Sequence, residues 1–183
     1  MNNTRSPRTI ILLLIRTFLL TASVLLLANL SVVQAQINPP ACTKVRLPGP
    51  NLRAFLDTLV PGDVGCLRVG VHGARGTEAF MTVSGTPSAP VTLQAYPGDA
   101  MPTILGYFAI GGDNIVISGL LFDGPTGLVK VNAGPAVEIA QISIYDSNVE
   151  INHCEIRNSL GHAGIYLENA FNARIIGNYR YPR

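Results

Sequence analysis

The pattern of apolar and polar positions changes after about sixty residues. Apolar residues recur at helical spacing within residues 51–60, which predicts one short amphipathic helix there. Asn51 is placed to cap this helix, and Pro61 is placed to stop it. Downstream, short β-rich runs are separated by turns of Gly, Asn, Asp and Pro, so the rest of the chain is expected to be all-β. These runs are residues 91–95, 115–118, 142–145 and 164–167.

The β-rich part contains an internal repeat. A segment that contains Asn114 aligns with segments that contain Asn148 and Asn172, at successive intervals of 34 and 24 residues. The longer interval holds an extra Gly- and Ala-rich stretch over residues 126–138, which is expected to form a loop, so the basic period is about 24 residues. Each unit offers two or three short strands with a corner at the asparagine. This favours a coil of a parallel β-solenoid over a β-sandwich, because a sandwich requires no fixed period.

The aligned repeats predict which side chains stack inside the solenoid. Two inward columns are predicted, one of Ile110, Ile144 and Leu167 and one of Ile117, Ile151 and Ile175. The aligned asparagines are expected to bond laterally as a ladder at the corners. A third column runs from Phe122 to Ile156 and then meets Arg180. We therefore expect a solenoid of only about four to five coils, cut short near its C-terminal end.

The first 35 residues are typical of a secretory signal peptide. Arg5 and Arg8 precede an apolar stretch over residues 10–30, and the ending Val33-Gln34-Ala35 suits signal peptidase. The alternative is an uncleaved leader that anchors the chain, since the apolar stretch is about long enough to span a bilayer. The expected location is secreted or extracytoplasmic. The predicted organisation is a signal peptide over residues 1–35, a linker over 36–50 and a β-helix domain over 51–183.

Composition and charge argue against a disordered chain and against a nucleic-acid partner. Hydrophobic residues make up 48% of the chain and charged residues 13%, which argues against a disordered chain. Removing the leader takes Arg5, Arg8 and Arg16 from the 13 basic residues and none of the 11 acidic ones, so the formal charge falls from +2 to −1. This balance argues against a nucleic-acid partner, and it leaves contact with a membrane only through an uncleaved leader.

Three cysteines follow the leader. In an oxidising compartment the natural pair is Cys42 with Cys66, because both lie near the new N-terminus and flank the predicted helix. Cys154 lies in a strand-like run and is expected to be a buried, inert thiol. The spacings match no zinc pattern, so no metal is assigned to cysteine.

Several runs carry a family resemblance. They are residues 88–99 (SAPVTLQAYPGD), 113–120 (DNIVISGL), 153–158 (HCEIRN) and 162–167 (HAGIYL). These runs resemble the secreted right-handed parallel β-helix proteins of the pectate-lyase-like superfamily, across roughly residues 62–178. The resemblance implies the pectin lyase fold, a right-handed parallel β-helix, with the N-terminal helix capping the open end of the solenoid; the few coils expected for this chain come from its own repeat count. The resemblance does not indicate one reaction, because the superfamily includes polysaccharide lyases, glycoside hydrolases, epimerases and many proteins with no known activity.

The resemblance implies the chemistry of a polysaccharide lyase or hydrolase. Lyases of this superfamily commonly use a Lys or Arg base, and often calcium held by several carboxylates. The strand-proximal bases are Lys130, Arg157 and Arg174, each of which also suits a solvated outward position. Glu150 aligns with Arg174 on the next coil, and an exposed ion pair is expected there. No catalytic set and no metal ligands are assigned, and calcium enters only through the resemblance.

The candidate substrate-binding residues are Tyr145, Tyr166 and Glu168. The two tyrosines fall near one strand face, where their rings can stack on sugars, although ordinary surface tyrosines are the alternative. Three functions stay open: a carbohydrate-active enzyme such as a lyase or hydrolase, a non-catalytic carbohydrate-binding or cell-surface structural protein, and an inactive fragment of either. The predicted partner in the first two cases is a polysaccharide.

Overall fold

Short strands dominate the part of the chain that the structure describes. The computed structural model describes residues 39–124, 140–159 and 163–180. The predicted signal peptide, the loop predicted over 126–138 and the last three residues lie outside this part. The elements are β1 (Lys44–Arg46), α1 (Leu52–Leu56), β2 (Val64–Leu67), β3 (Val71–Met81), β4 (Val91–Ala95), β5 (Thr103–Ile110), β6 (Ile115–Ser118), β7 (Leu121–Asp123), β8 (Ala140–Ile144), β9 (Val149–Asn152), β10 (Glu155–Arg157), β11 (Ala163–Leu167), β12 (Arg174–Ile176) and β13 (Tyr179–Arg180).

These strands pair in three parallel rows. The first row is β1, β2, β4, β6, β9 and β12. The second row holds the first parts of β3 and β5, followed by β7, β10 and β13. The third row holds the second parts of β3 and β5, followed by β8 and β11. From β2 onward, successive strands visit the rows in the same order, which confirms the prediction of an all-β chain with parallel sheets.

A glycine marks the bend between the second and third rows. β5 crosses from one row to the other at Gly106, whose φ of 94° lies in the left-handed region. A Cβ at this position would stand 2.4 Å from the carbonyl oxygen of Thr77. The bend therefore requires glycine, and it allows one continuous strand to serve two rows.

The predicted inward columns are confirmed in their register. Ile110 pairs with Ile144, which pairs with Leu167; Ile117 pairs with Ile151, which pairs with Ile175. The earlier members are fully buried, whereas Leu167 is 45% exposed and Ile175 is 42% exposed. The loss of burial has a simple cause: β11 and β12 are the last strands of their rows among the described residues.

The third predicted column has the expected register as well. Phe122 pairs with Ile156, and the backbone of Ile156 pairs with that of Arg180. Phe122 and Ile156 are buried, and the ring of Phe122 meets Phe108 edge-on at 5.4 Å between centroids. Because residues 181–183 lie outside the described part, the expectation that the solenoid is cut short stays a prediction.

The aligned asparagines occupy equivalent corners of the fold. Asn114, Asn148 and Asn172 have φ values of 55°, 58° and 55°, in the left-handed region that asparagine tolerates better than most residues. Asn172 Nδ2 donates to Asn148 Oδ1 at 3.2 Å, so the predicted ladder forms between these two. Asn114 Nδ2 instead donates to the carbonyl oxygen of Gly85 at 3.3 Å.

The capping helix is present but shorter than predicted. Helix α1 spans Leu52–Leu56 rather than residues 51–60, and Asn51 caps it by accepting a bond from the Ala54 amide at 3.3 Å. After the helix, the amides of Thr58 and Leu59 bond to carbonyls three residues back, so the chain tightens into turns before Pro61.

The cysteines behave as predicted. Cys42 and Cys66 form a disulfide with their Cα atoms 5.7 Å apart, which ties the N-terminal segment to the first row. Cys154 is a free, buried cysteine. Burial raises the pKa of its thiol to about 11, so the thiol stays protonated near neutral pH, as expected for an unreactive cysteine.

Candidate functional site

The predicted residues Tyr145, Tyr166 and Glu168 share one side of the third row. Ile142 and Ile144 point into the core, so Tyr145 lies on the opposite side of the row by strand alternation. Tyr166 pairs in register with Ser143, two residues before Tyr145. The amide of Glu168 donates to the carbonyl of Ile144 at 2.9 Å, which places Glu168 beside Tyr145. The structure therefore brings the three predicted residues onto one outer surface.

Two further aromatic residues join this surface. Tyr107 and Tyr145 lie with their hydroxyl oxygens 3.2 Å apart. Phe80 meets Tyr145 in an edge-to-face contact, with ring centroids 6.5 Å apart and planes at 73°. We call the surface formed by Phe80, Tyr107, Tyr145 and Tyr166 the aromatic face. Neither Phe80 nor Tyr107 is among the residues predicted from sequence, although the inward assignment of Ile110 implies by strand alternation that Tyr107 points outward.

Small residues form the floor between these rings. Ala109 and Ser143 pair in register on the same side of the row as the tyrosines, and they are 1% and 0% exposed. Ser143 Oγ has no hydrogen-bond partner within the described part of the chain. It lies near enough to the Tyr107 hydroxyl to lower the pKa of that group. The aromatic face thus has a floor of short side chains that includes an unsatisfied hydroxyl.

Tyr107 is held in its neutral form. Burial is the largest cause that raises the pKa of its hydroxyl well above the ordinary value, and the bond to Tyr145 and the charge of Glu78 act in the same direction. Ser143 opposes this rise by a smaller amount. The Tyr107 hydroxyl therefore acts as a hydrogen-bonding group and not as a charge throughout the physiological pH range.

Carboxylates surround the aromatic face. Glu78 pairs in register with Tyr107 on the neighbouring strand. Asp146 Oδ2 lies 3.8 Å from the point where a Cβ on Gly111 would stand, and the ring of Phe80 lies 2.7 Å from the same point. Glu168 lies on the far side of Tyr145. In the described strands of the third row there is no lysine or arginine, and the nearest base along β3 is Arg75, in the bulge between the two paired parts of that strand.

The bases considered for lyase chemistry lie on other rows. Arg157 forms an ion pair with Asp123 at 3.1 Å on the second row. Arg174 pairs with Glu150 at 3.2 Å on the first row, which confirms the predicted ion pair. Lys130 lies outside the described residues. Neither described arginine reaches the aromatic face, and each has a carboxylate beside it.

A separate cavity lies between α1 and the bulge of β3. Its volume is about 330 Å³, and its lining includes Asn51, Arg53, Thr77 and Glu78. Glu78 is the residue that this cavity shares with the surroundings of the aromatic face. Over residues 39–124, 140–159 and 163–180, no three His, Cys, Asp or Glu side chains group as ligands for a metal ion. The described residues thus do not fit the calcium site that the family resemblance implies.

Three further observations concern a membrane span, the cellular location and similarity to known proteins. In the described ranges, no helix combines the length and the hydropathy needed to cross a bilayer. The disulfide between Cys42 and Cys66 is weakly consistent with a location outside the cytoplasm. No protein-family model, no curated protein and no solved structure gives a significant match to the chain.

Proposed function

We propose that this chain is a secreted, right-handed parallel β-helix protein of the pectate-lyase-like kind that binds polysaccharide on its aromatic face. The observation that carries the proposal is the contact of Tyr145 with both Tyr107 and Phe80 on an outer strand row. The constant order in which the chain visits three parallel rows supports the β-helix, and the disulfide and the leader pattern support secretion.

Sugar recognition follows from the chemistry of this face. Aromatic rings offer flat apolar surfaces that pack against the C–H faces of sugars, while tyrosine hydroxyls and carboxylates exchange hydrogen bonds with sugar hydroxyls. Neighbouring strands of a row lie about 4.8 Å apart. The rings come from successive strands: Phe80 and Tyr166 share one register position, and Tyr107 and Tyr145 lie two positions to either side of it. A polymer lying across the strands would contact several rings at once, which raises its affinity over that of a single sugar.

Binding accounts for the described residues better than lyase chemistry does. β-Elimination from a uronate needs a base beside the sugar carbon, and the described strands of the third row carry no lysine or arginine. The two described arginines considered as bases lie on other rows next to carboxylates. We therefore assign the aromatic face a binding role.

Affinity electrophoresis of the full chain in gels that contain polysaccharides tests this proposal. The panel comprises a neutral glucan, pectate, alginate and chitosan. We expect at least one polymer to retard the protein and Tyr145→Ala to weaken that retardation about tenfold, since the variant loses ring contact at the centre of the face. The matched control is Tyr179→Ala, which removes an exposed tyrosine from the second row.

Two results would overturn the proposal. One is the absence of retardation by every polymer, and the other is equal retardation of Tyr145→Ala and the parent chain. Release of unsaturated uronate from pectate or alginate by the parent chain would replace the binding role with a lyase activity.

A further inference from the structure

The aromatic face is bordered by negative charge. Elsewhere, Asp63 pairs with Lys44, Asp99 with Arg68, Asp123 with Arg157 and Glu150 with Arg174, whereas Asp113 and Glu155 have no cationic partner among the described residues. Glu78, Asp146 and Glu168 form no ion pair with any described residue. The aromatic face is thus bordered by three carboxylates without a matching cation in the described strands of its row.

These carboxylates stand beside the rings and not at a distance from them. The charge of Glu78 acts on the hydroxyl of Tyr107. Asp146 Oδ2 and the ring of Phe80 flank the same point above Gly111. Glu168 follows Leu167, which pairs with Ile144, and so lies across from Tyr145. Each carboxylate therefore belongs to a residue that adjoins a ring residue, either across the strand pairing or along the chain.

This combination discriminates between classes of polysaccharide. A polyuronate laid on the rings would bring its own carboxylates against three negative side chains, and like charges at such separations repel. A protonated amine is favoured by the same surroundings, because carboxylates attract it and the faces of tyrosine rings attract it as well. Ser143 Oγ, which has no hydrogen-bond partner among the described residues, lies fully buried on the same side of the row.

On the basis of the proposed function, we infer that the ligand is a polysaccharide of amino sugars that carry free amino groups. Its sugar rings lie on Tyr145 and Tyr166, and its ammonium groups lie toward Glu78, Asp146 and Glu168. Charge complementarity is then the source of selectivity, and ring stacking is the source of general sugar affinity.

Binding of four oligosaccharides of equal length to the full chain tests the inference. The probes are a chitosan oligomer, its fully N-acetylated counterpart, a neutral glucan oligomer and an oligogalacturonate, each titrated at low and at moderate salt. We expect the chitosan oligomer to bind at least about tenfold more tightly than the acetylated one at low salt, and the difference to shrink as salt screens the charges.

Variants in which a carboxamide replaces a carboxylate test whether these three side chains cause the preference for the chitosan oligomer. Glu168→Gln and the triple variant Glu78→Gln, Asp146→Asn and Glu168→Gln keep the shapes of the side chains and remove their charges. We expect the triple variant to bind the chitosan and acetylated oligomers equally. Glu155→Gln is the matched control, because it removes one negative charge from the second row and leaves the aromatic face intact.

The outcomes separate this inference from the function on which it rests. Equal binding of the acetylated, neutral and amino oligomers, or tightest binding of the oligogalacturonate, overturns the inference while the proposed function stands. An unchanged preference for chitosan in the triple variant also overturns it. Failure of all four oligomers to bind overturns the proposed function itself.

Discussion

The hydroxyl oxygens of Tyr107 and Tyr145 lie 3.2 Å apart, although the two residues are 38 positions apart in the chain. Their bond joins β5 to the end of β8, and it fixes the ring of Tyr145 at the centre of the aromatic face. Because Tyr107 is partly buried and bonded, its ionisation is unfavourable in the folded state. This has a measurable consequence at alkaline pH.

Stability should fall above about pH 10, where tyrosine ionises in the unfolded chain. The pKa of Tyr107 is raised on folding, so its contribution is complete below the unfolded pKa and is lost as the pH rises toward the folded value. Urea unfolding between pH 8 and pH 11 measures the decline, and Tyr107→Phe should make it shallower. An identical decline in the two proteins would contradict the prediction.

His72 should make the protein less stable in mild acid. The residue is fully buried, its Nε2 donates to the carbonyl of Arg68 at 2.9 Å, and its Nδ1 has no partner among the described residues. Burial lowers the pKa of His72, and the nearby charge of Arg46 lowers it further. Stability is therefore present above the unfolded pKa of about 6.5 and is lost below it, by at most about 1.4 kcal/mol per pH unit.

Urea unfolding at pH 7.0, 6.0 and 5.0 measures this loss. The window lies above the range in which Asp63 and Asp99 lose their contributions, since the pKa values of both are lowered on folding. The variant His72→Asn should show a flatter profile over the same window. A parent chain that is equally stable at pH 7.0 and pH 5.0 would show the prediction to be wrong.

Removing the disulfide should destabilise the N-terminal cap. Cys42 and Cys66 are 24 residues apart, and closure of a loop of that size is worth about 3 kcal/mol. The double variant Cys42→Ser and Cys66→Ser should lose about this much free energy of unfolding, and dithiothreitol should have the same effect on the parent chain. The reductant should leave the double variant unchanged. Parent chain in which both thiols are already free to alkylate before reduction would rule out the bond.

The inward column of Ile117, Ile151 and Ile175 allows a buried and an exposed isoleucine to be compared in the same strand register. Ile151 is fully buried and Ile175 is 42% exposed, although the two residues pair directly. Ile151→Asp should abolish soluble expression, because it places a charge between packed strands. Ile151→Ala should cost about 3 kcal/mol, whereas Ile175→Ala should cost clearly less. Equal losses for the two alanine variants would contradict the described register or burial.

The repeat made much of the fold predictable. Asn114, Asn148 and Asn172 mark equivalent corners, so the pairing of Ile117 with Ile151 and Ile175 could be predicted by alignment alone. The ladder cannot continue from Asn114 toward the neighbouring strand β4, because Pro90, and not an asparagine, precedes that strand.

The aromatic face was only partly predictable. Tyr145 and Tyr166 could be assigned to one surface because they belong to aligned repeats. Phe80 could not be assigned, because β3 contains a bulge between Gly73 and Glu78 that breaks the repeat period. Which carboxylates lie beside the rings depends on register after that bulge, and the sequence pattern does not specify it.

The order in which the chain visits the three rows also bears on how such a surface can evolve. Phe80, Tyr107, Tyr145 and Tyr166 come from different turns of the chain, so each ring belongs to its own repeat unit. Duplication of one unit of about 24 residues would lengthen the row by one strand spacing of about 4.8 Å and leave the existing rings in place. The reach of the surface along a polymer is thus a modular property, which gene duplication can extend one unit at a time.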